Sequence, residues 1–91
     1  MTNQPKVILY KADPCGYCSA AIRYLEERMG LQIEIVDLTR DVEQRMELMR
    51  KTGRRTVPQI FINDVHIGGY DDLVRKDRQG EIDVLLSPKS K

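Results

Sequence analysis

Cys15-Gly16-Tyr17-Cys18 lies at the point where strand-like periodicity gives way to helical periodicity, and this junction is the most informative part of the sequence. The apolar run before it, residues 6–10, is rich in β-forming residues and is bounded by Pro5 and Pro14, which predicts a strand. After Cys15, apolar residues recur at helical spacing as far as Met29, and a glycine then supplies a stop. The sequence therefore predicts two cysteines at the junction of a first strand and a first helix.

The rest of the chain continues this alternation of strands and helices. The patterns predict strands at residues 32–36, 58–62 and 65–67, helices at residues 42–52 and 71–78, and a last short turn at residues 81–86. Thr39 or Asp41 is predicted to cap the second helix, and Asp71-Asp72 to cap the third. The order β-α-β-α-β-β-α predicts an α/β fold with a four-stranded mixed sheet flanked by helices.

Length and composition indicate a single cytoplasmic domain. The chain has 91 residues, of which 41% are hydrophobic and 32% charged, and residues 87–91 read as a frayed tail. Its 15 basic and 14 acidic residues nearly balance, which argues against a nucleic acid or a membrane surface as partner. No apolar run has the length of a signal peptide or a membrane span. In a reducing compartment, closely spaced cysteines are seldom a structural disulfide.

The position of Cys15 favours thiol chemistry for three physical reasons. The free N–H groups and the dipole of a helix N-terminus stabilise a thiolate. A loop at the end of a strand is exposed to substrates. Spacing of three residues on the first helical turn brings Cys18 beneath Cys15, so that the pair can form a disulfide. Cys15 is therefore the predicted nucleophile, and Cys18 is predicted to resolve the mixed disulfide.

Two other interpretations of the cysteines remain open from these residues alone. The pair could be two small buried hydrophobic side chains, or it could form half of a zinc site. A structural zinc site needs about four ligands, and the single histidine, His66, falls in the predicted hairpin. The strand before the cysteines and the helix after them favour redox chemistry over both alternatives.

Three segments together resemble the glutaredoxins, a family within the thioredoxin fold. They are Cys15-Gly16-Tyr17-Cys18, residues 56–62 (TVPQIFI) and residues 67–73 (IGGYDDL). The Trp-Cys-Gly-Pro-Cys motif of thioredoxins is absent, and small redoxins served by thioredoxin reductase lack the later segments. The resemblance implies a glutathione-dependent enzyme, acting on disulfide-containing or glutathionylated proteins through Cys15 and Cys18.

The resemblance also implies a binding site for glutathione. Pro58 should be a cis proline facing the cysteines, which leaves the backbone of Val57 free to pair with glutathione in a strand-like manner. The N–H groups at the start of the third helix should hold the γ-glutamyl carboxylate, and Asp72 its amino group. The residues implied in glutathione binding are Lys11, Tyr17, Arg45, Arg55, Thr56, Val57, Pro58, Gly69, Tyr70, Asp71 and Asp72.

Two residues depart from the usual pattern of the family. Ala12 occupies the position of a common lysine, and Lys11 comes one residue too early. Gly16 stands where dithiol members commonly have proline, and glutaredoxins without that proline include members that bind a [2Fe–2S] cluster. The alternative function is therefore a cluster-binding or transfer module, in which Cys15 and glutathione from two chains bridge a homodimer. Without a cluster, the protein is expected to be a monomer with no metal.

Overall fold

A computed structural model of the protein describes residues 5–86, and the tail predicted at residues 87–91 lies outside this range. The elements are β1 (Val7–Lys11), α1 (Gly16–Arg23), β2 (Glu34–Asp37), α2 (Val42–Thr52), β3 (Gln59–Ile62), β4 (Val65–Gly68), α3 (Tyr70–Arg78) and α4 (Glu81–Leu86). The sheet has the order β2-β1-β3-β4, with β1 and β2 parallel and the other pairs antiparallel. The predicted thioredoxin-like α/β fold with a four-stranded mixed sheet is confirmed.

The core lies between the two central strands and the helices packed against them. Leu9 of β1 faces Ile60 of β3 across the antiparallel pair, and both side chains are fully buried. Helices supply the rest of the layer, with Leu25, Leu73 and Ile82 also fully buried. Burial of each such side chain contributes roughly 1.5–3 kcal/mol. This packing fixes the carboxyl end of β1, from which the chain enters the cysteine segment.

The first helical segment has the predicted extent, but it changes from an α-helix to a π-helix along its length. After α1, residues Tyr24–Arg28 form a π-helix, in which the N–H of Met29 donates to the carbonyl of Tyr24 at 3.0 Å. Gly30 then adopts a φ of 68°, which ends the helix as predicted. Apolar spacing predicts a helix here but does not distinguish an α-helix from a π-helix.

Side-chain caps set the start of the second helix. Asp41 accepts a hydrogen bond from the N–H of Gln44 at 3.0 Å and is the N-cap of α2, so it is the correct one of the two candidates. Thr39 instead accepts from the N–H of Asp13 at 2.9 Å, which joins the end of β2 to the segment before the cysteines. The αL conformation of Gly53 ends α2 as predicted.

The predicted cap of the third helix is wrong by two residues. Gly69 is the N-cap of α3, whereas Asp71 and Asp72 lie in its first turn. The Asp72 carboxylate reaches back and accepts a hydrogen bond from the Gly69 N–H at 2.9 Å, which explains why an acidic residue is favourable there. The predicted last turn is the short helix α4. Among residues 5–86, no helix combines the length and the apolar character that crossing a membrane requires.

Candidate active site

Cys15 is the N-cap of α1, and its sulfur contacts two backbone groups. Its extended backbone (φ −159°, ψ 102°) aims the side chain at the first helical turn, where Sγ accepts a hydrogen bond from the N–H of Cys18 at 3.2 Å. The thiol also lies 3.5 Å from the carbonyl oxygen of Val57, to which it can donate. A half-exposed sulfur at a helix N-terminus, with an N–H directed at it, is well placed to attack an external disulfide.

Cys18 has the opposite environment. Its side chain is only 1% exposed, and burial raises the pKa of the thiol to about 12, with a further contribution from the Cys15 side chain. Both thiols are free and lie close together. Because Cys18 is buried and protonated, an external disulfide reaches Cys15 first. The geometry therefore supports the predicted division between an attacking and a resolving cysteine.

The loop before β3 forms the opposite wall of the site. The Val57–Pro58 peptide bond is cis, as predicted, and the contact between Val57 and the Cys15 sulfur places this loop against the cysteines. Pro58 is buried, whereas Val57 is half-buried. The Asp13–Pro14 bond is also cis, which the sequence reasoning did not predict.

A groove of about 300 Å³ borders this loop and brings most of the predicted residues together. Its walls are the first turn of α1, the segment before β3 and the start of α3. The lining residues are Tyr17, Arg54, Thr56, Val57, Pro58, Gly69, Tyr70, Asp71 and Asp72. Eight of these nine were predicted from the resemblance; the ninth, Arg54, was not, and its neighbour Arg55 was named in its place.

The Asp72 carboxylate makes most of the charged contacts at the groove. One oxygen lies 2.7 Å from the Arg54 guanidinium and accepts from the Gly69 N–H, and the other lies 3.1 Å from Arg75. The hydrogen bond from Arg54, followed by the one from Gly69, lowers the pKa of Asp72 to about 2. The carboxylate is thus ionised at neutral pH, and it holds two guanidinium groups at the edge of the groove.

The sequence agrees with this geometry, because a model of the Glutaredoxin family matches residues 7–67. The chain belongs to the glutaredoxin family. It is 42% identical over 83 residues to the glutaredoxin of Pseudomonas aeruginosa, a match that covers 91% of this chain and 98% of that protein. Membership of the family and the fold together make the chain a thiol–disulfide oxidoreductase.

Solved glutaredoxin structures share the fold over most of the chain. The solution structure of glutaredoxin from Brucella melitensis has a TM-score of 0.77 and 41% identity, covering 89% of this chain and 87% of that one. The crystal structure of a buckwheat glutaredoxin–glutathione complex also has a TM-score of 0.77, with 30% identity, and covers 90% of this chain and 76% of that one.

Three basic residues predicted from the family pattern are not among the residues that line the groove. Lys11 pairs with Asp13 at 2.9 Å, and this hydrogen bond raises the pKa of the lysine. Its charge also favours the thiolate of Cys18, so it acts near the resolving cysteine. Arg45 lies on α2 and is half-exposed, and Arg55 is exposed in the loop after it. Their roles toward glutathione stay predictions.

A buried amide behind the groove was missed by the sequence reasoning. The Gln59 side chain is 1% exposed, and its Nε2 donates to the Arg54 carbonyl at 3.0 Å. Its Oε1 lies 3.1 Å from Nε2 of His66, so the histidine has a partner on the neighbouring strand. Within residues 5–86, no three or more His, Cys, Asp and Glu side chains are arranged to hold a metal ion, so the zinc alternative has no ligand set there.

Replacement of Gly68 by Ala is expected to destabilise the protein. Gly68 has a φ of 115°, and a Cβ at this position would overlap the Asp72 carboxylate. Backbone strain of this kind costs roughly 1–3 kcal/mol, and displacement of Asp72 adds to it. Gly16→Ala is the matched control, because among residues 5–86 its Cβ would meet nothing within 4 Å apart from its chain neighbours and the backbone of its own helix. Urea unfolding should show a large loss for Gly68→Ala and little change for Gly16→Ala; equal midpoints would contradict the assigned contact.

The Asp72 carboxylate is expected to contribute stability that depends on pH. Its pKa is lowered from 3.8 to about 2 in the folded state, so the contribution is complete above about pH 5 and is lost progressively as the pH falls through 2. After allowance for solvent screening, the contribution should be roughly 1–2 kcal/mol. Asp72→Asn should remove this part of the acid dependence measured by urea unfolding, whereas Asp64→Asn, at an exposed ion pair with Lys6, should preserve it. An unchanged acid profile in Asp72→Asn would contradict the prediction.

Proposed function

We propose that this protein uses glutathione to reduce glutathione mixed disulfides and protein disulfides. The observation that carries the proposal is the Cys15 sulfur, which lies at a helix N-terminus against the cis-proline loop that borders a peptide-sized groove. The buckwheat relative, solved as a complex with glutathione, supports glutathione as the occupant of this groove. A reducing compartment, the cytoplasm, fits this chemistry.

The proposed reaction proceeds by two exchanges at Cys15. Its thiolate attacks the glutathione sulfur of a mixed disulfide, the target thiolate leaves and takes a proton, and Cys15 becomes linked to glutathione. A second glutathione thiolate attacks the glutathione sulfur of that bond, which releases glutathione disulfide and restores the Cys15 thiolate. With a protein disulfide, the Cys15 thiolate attacks one of the two sulfurs, and the other leaves as a thiolate and takes a proton. The Cys18 thiolate then attacks the Cys15 sulfur of this mixed disulfide. The reduced protein then leaves, and glutathione reduces the Cys15–Cys18 disulfide.

The groove supplies groups that match those of glutathione. The half-buried backbone of Val57 can pair with the main chain of an extended peptide, because the proline after it donates no hydrogen bond. Arg54 and the N–H groups at the start of α3 can bind the γ-glutamyl carboxylate, and Asp72 can contact the ammonium group. Tyr17, two residues after Cys15, is 66% exposed and lines the groove.

A coupled assay tests the proposal directly. A glutathionylated peptide is the substrate, glutathione is the reductant, and glutathione reductase with its nicotinamide cofactor reports the turnover. We expect saturable turnover that depends on glutathione. Turnover supported by thioredoxin reductase and absent with glutathione would overturn the proposal in favour of a redoxin served by that enzyme.

The [2Fe–2S] module remains a prediction from Gly16, and no contact among the described residues favours it over the enzyme. Cys15 is its candidate ligand, with bound glutathione, in a homodimer of two chains. Anaerobic reconstitution with iron, sulfide and glutathione distinguishes the two functions. A coloured dimer that loses its colour in Cys15→Ala would support the module, and a colourless monomer would contradict it.

A further inference from the structure

Two shallow hollows adjoin the groove, and all three depressions share Tyr70 as a wall. The first hollow, about 270 Å³, lies along α1 and the π-helix and is lined by Ala20, Arg23, Tyr24, Glu27, Arg28 and Tyr70. The second, about 380 Å³, lies along α3 and is lined by Tyr70, Asp71, Val74, Arg75, Arg78 and Gln79. The glutathione mechanism proposed above uses neither hollow. A protein substrate attached at Cys15 would extend from the groove toward both hollows.

The Tyr70 wall is held by contacts on both sides. Its ring lies 6.3 Å from that of Tyr17 on the groove side and 6.3 Å, edge to face, from that of Tyr24 on the far side. The Tyr24 hydroxyl donates to Asp77 at 2.5 Å, so this carboxylate is occupied from within the protein. The Arg28 guanidinium covers the Tyr24 ring at 5.8 Å. The aromatic surface is therefore preorganised, with little side-chain entropy left to lose on binding.

The two hollows carry an excess of positive charge. Four arginines line them, against the carboxylates of Glu27 and Asp71. Arg75 is paired with Asp72, but Arg23 and Arg78 are exposed, and within residues 5–86 neither forms a salt bridge. The groove itself is lined by one arginine, Arg54, and by the carboxylates of Asp71 and Asp72. The excess of positive charge therefore lies in the two hollows and not in the groove. Acidic side chains on a bound partner would complement these two cations.

We propose that the hollows on either side of Tyr70 dock an acidic segment of a disulfide-containing protein, next to its reacting cysteine. This inference rests on the proposed function and names the class of protein substrate for the same site. Continuity with the groove positions the segment while its cysteine is joined to Cys15, and Arg23 and Arg78 supply the charge complementarity. Tyr70 packs against the segment between the two hollows.

Three peptides of equal length test the proposal, each closed by one internal disulfide, with their two cysteines flanked by glutamates, glutamines or lysines. In the coupled assay at low ionic strength, we expect kcat/KM to be roughly threefold to tenfold higher for the glutamate peptide than for the glutamine peptide. The lysine peptide should be slower than the glutamine peptide. The preference should decline as salt is added.

The double variant Arg23→Gln/Arg78→Gln should lose most of this preference. Lys6→Gln/Lys51→Gln removes the same charge at exposed positions outside both hollows and should retain the preference. The mixed disulfide of cysteine and glutathione, which has no flanks, should be turned over equally by all three proteins. If wild type turns over this small substrate without a preference among the peptides, or if the double variant keeps the preference, the docking proposal is wrong. No turnover of the small substrate by wild type would contradict the proposed function itself.

Discussion

Cys15→Ser is expected to reduce the turnover of glutathionylated peptide to the uncatalysed rate. The first proposed exchange forms a disulfide bond at the Cys15 sulfur and the second breaks it. A serine hydroxyl is not ionised at neutral pH and does not form disulfides. The N–H of Cys18 and the carbonyl of Val57 would still face the position, but no reacting atom would be present. The coupled assay with glutathione reductase measures this loss.

Two controls separate this chemical loss from loss of the fold. Urea unfolding of Cys15→Ser should resemble that of wild type, because the residue is half-exposed and serine is an equally good N-cap. Lys6→Gln, at an exposed ion pair away from the groove, should keep full turnover. Turnover of Cys15→Ser near that of wild type would contradict the assignment of the nucleophile.

Cys18→Ser is expected to impair the reduction of protein disulfides but not the reduction of glutathione mixed disulfides. Turnover of glutathionylated peptide needs only Cys15 and should persist. Reduction of a protein disulfide should fall by an order of magnitude or more, because the mixed disulfide at Cys15 loses its intramolecular resolving thiol, whose effective concentration far exceeds that of free glutathione. Parallel assays with a glutathionylated peptide and with a disulfide-bonded protein measure the separation.

The pH dependence of wild type supplies an independent check on Cys18. Burial raises the pKa of its thiol to about 12, so only a small fraction is thiolate at neutral pH. The rate of protein-disulfide reduction should therefore rise with pH through the neutral range wherever the Cys18 step limits it. Equal loss of both activities in Cys18→Ser, or full retention of both, would contradict the resolving role.

Local patterns were sufficient to predict the sheet, because each strand can be recognised from its own short apolar run without knowledge of its partners. Residues 6–10 and 58–62 are short apolar runs bounded by proline, and they form the two central strands, within a residue at each end. The π-helix at Tyr24 could not be predicted in this way. Apolar spacing does not distinguish an α-helix from a π-helix, and the hydrogen bond from the Tyr24 hydroxyl to Asp77, 53 positions later, is likewise visible only in the folded chain.

The site was predicted less completely than the fold, for a reason visible in its arginines. Arg54 and Arg55 are adjacent, and sequence alone does not determine which side chain faces the groove. The αL conformation of Gly53 and the hydrogen bond from Gln59 to the Arg54 carbonyl fix this segment, and the Arg54 guanidinium reaches Asp72. Gln59 is the one polar residue in the predicted strand at residues 58–62, and this was a signal for the contact, because an amide buried with an apolar strand needs hydrogen-bond partners.

Rapid-quench mass spectrometry on Cys18→Ser shows whether Cys15 carries a glutathione adduct during turnover, as the proposed reaction requires. In this variant Cys15 is the single cysteine, so an adduct formed from glutathionylated peptide has one possible site. The proposed reaction requires the adduct to form within the first turnover and added glutathione to remove it at least as fast as kcat. Steady turnover without the adduct, or an adduct that glutathione removes more slowly than kcat, would contradict it.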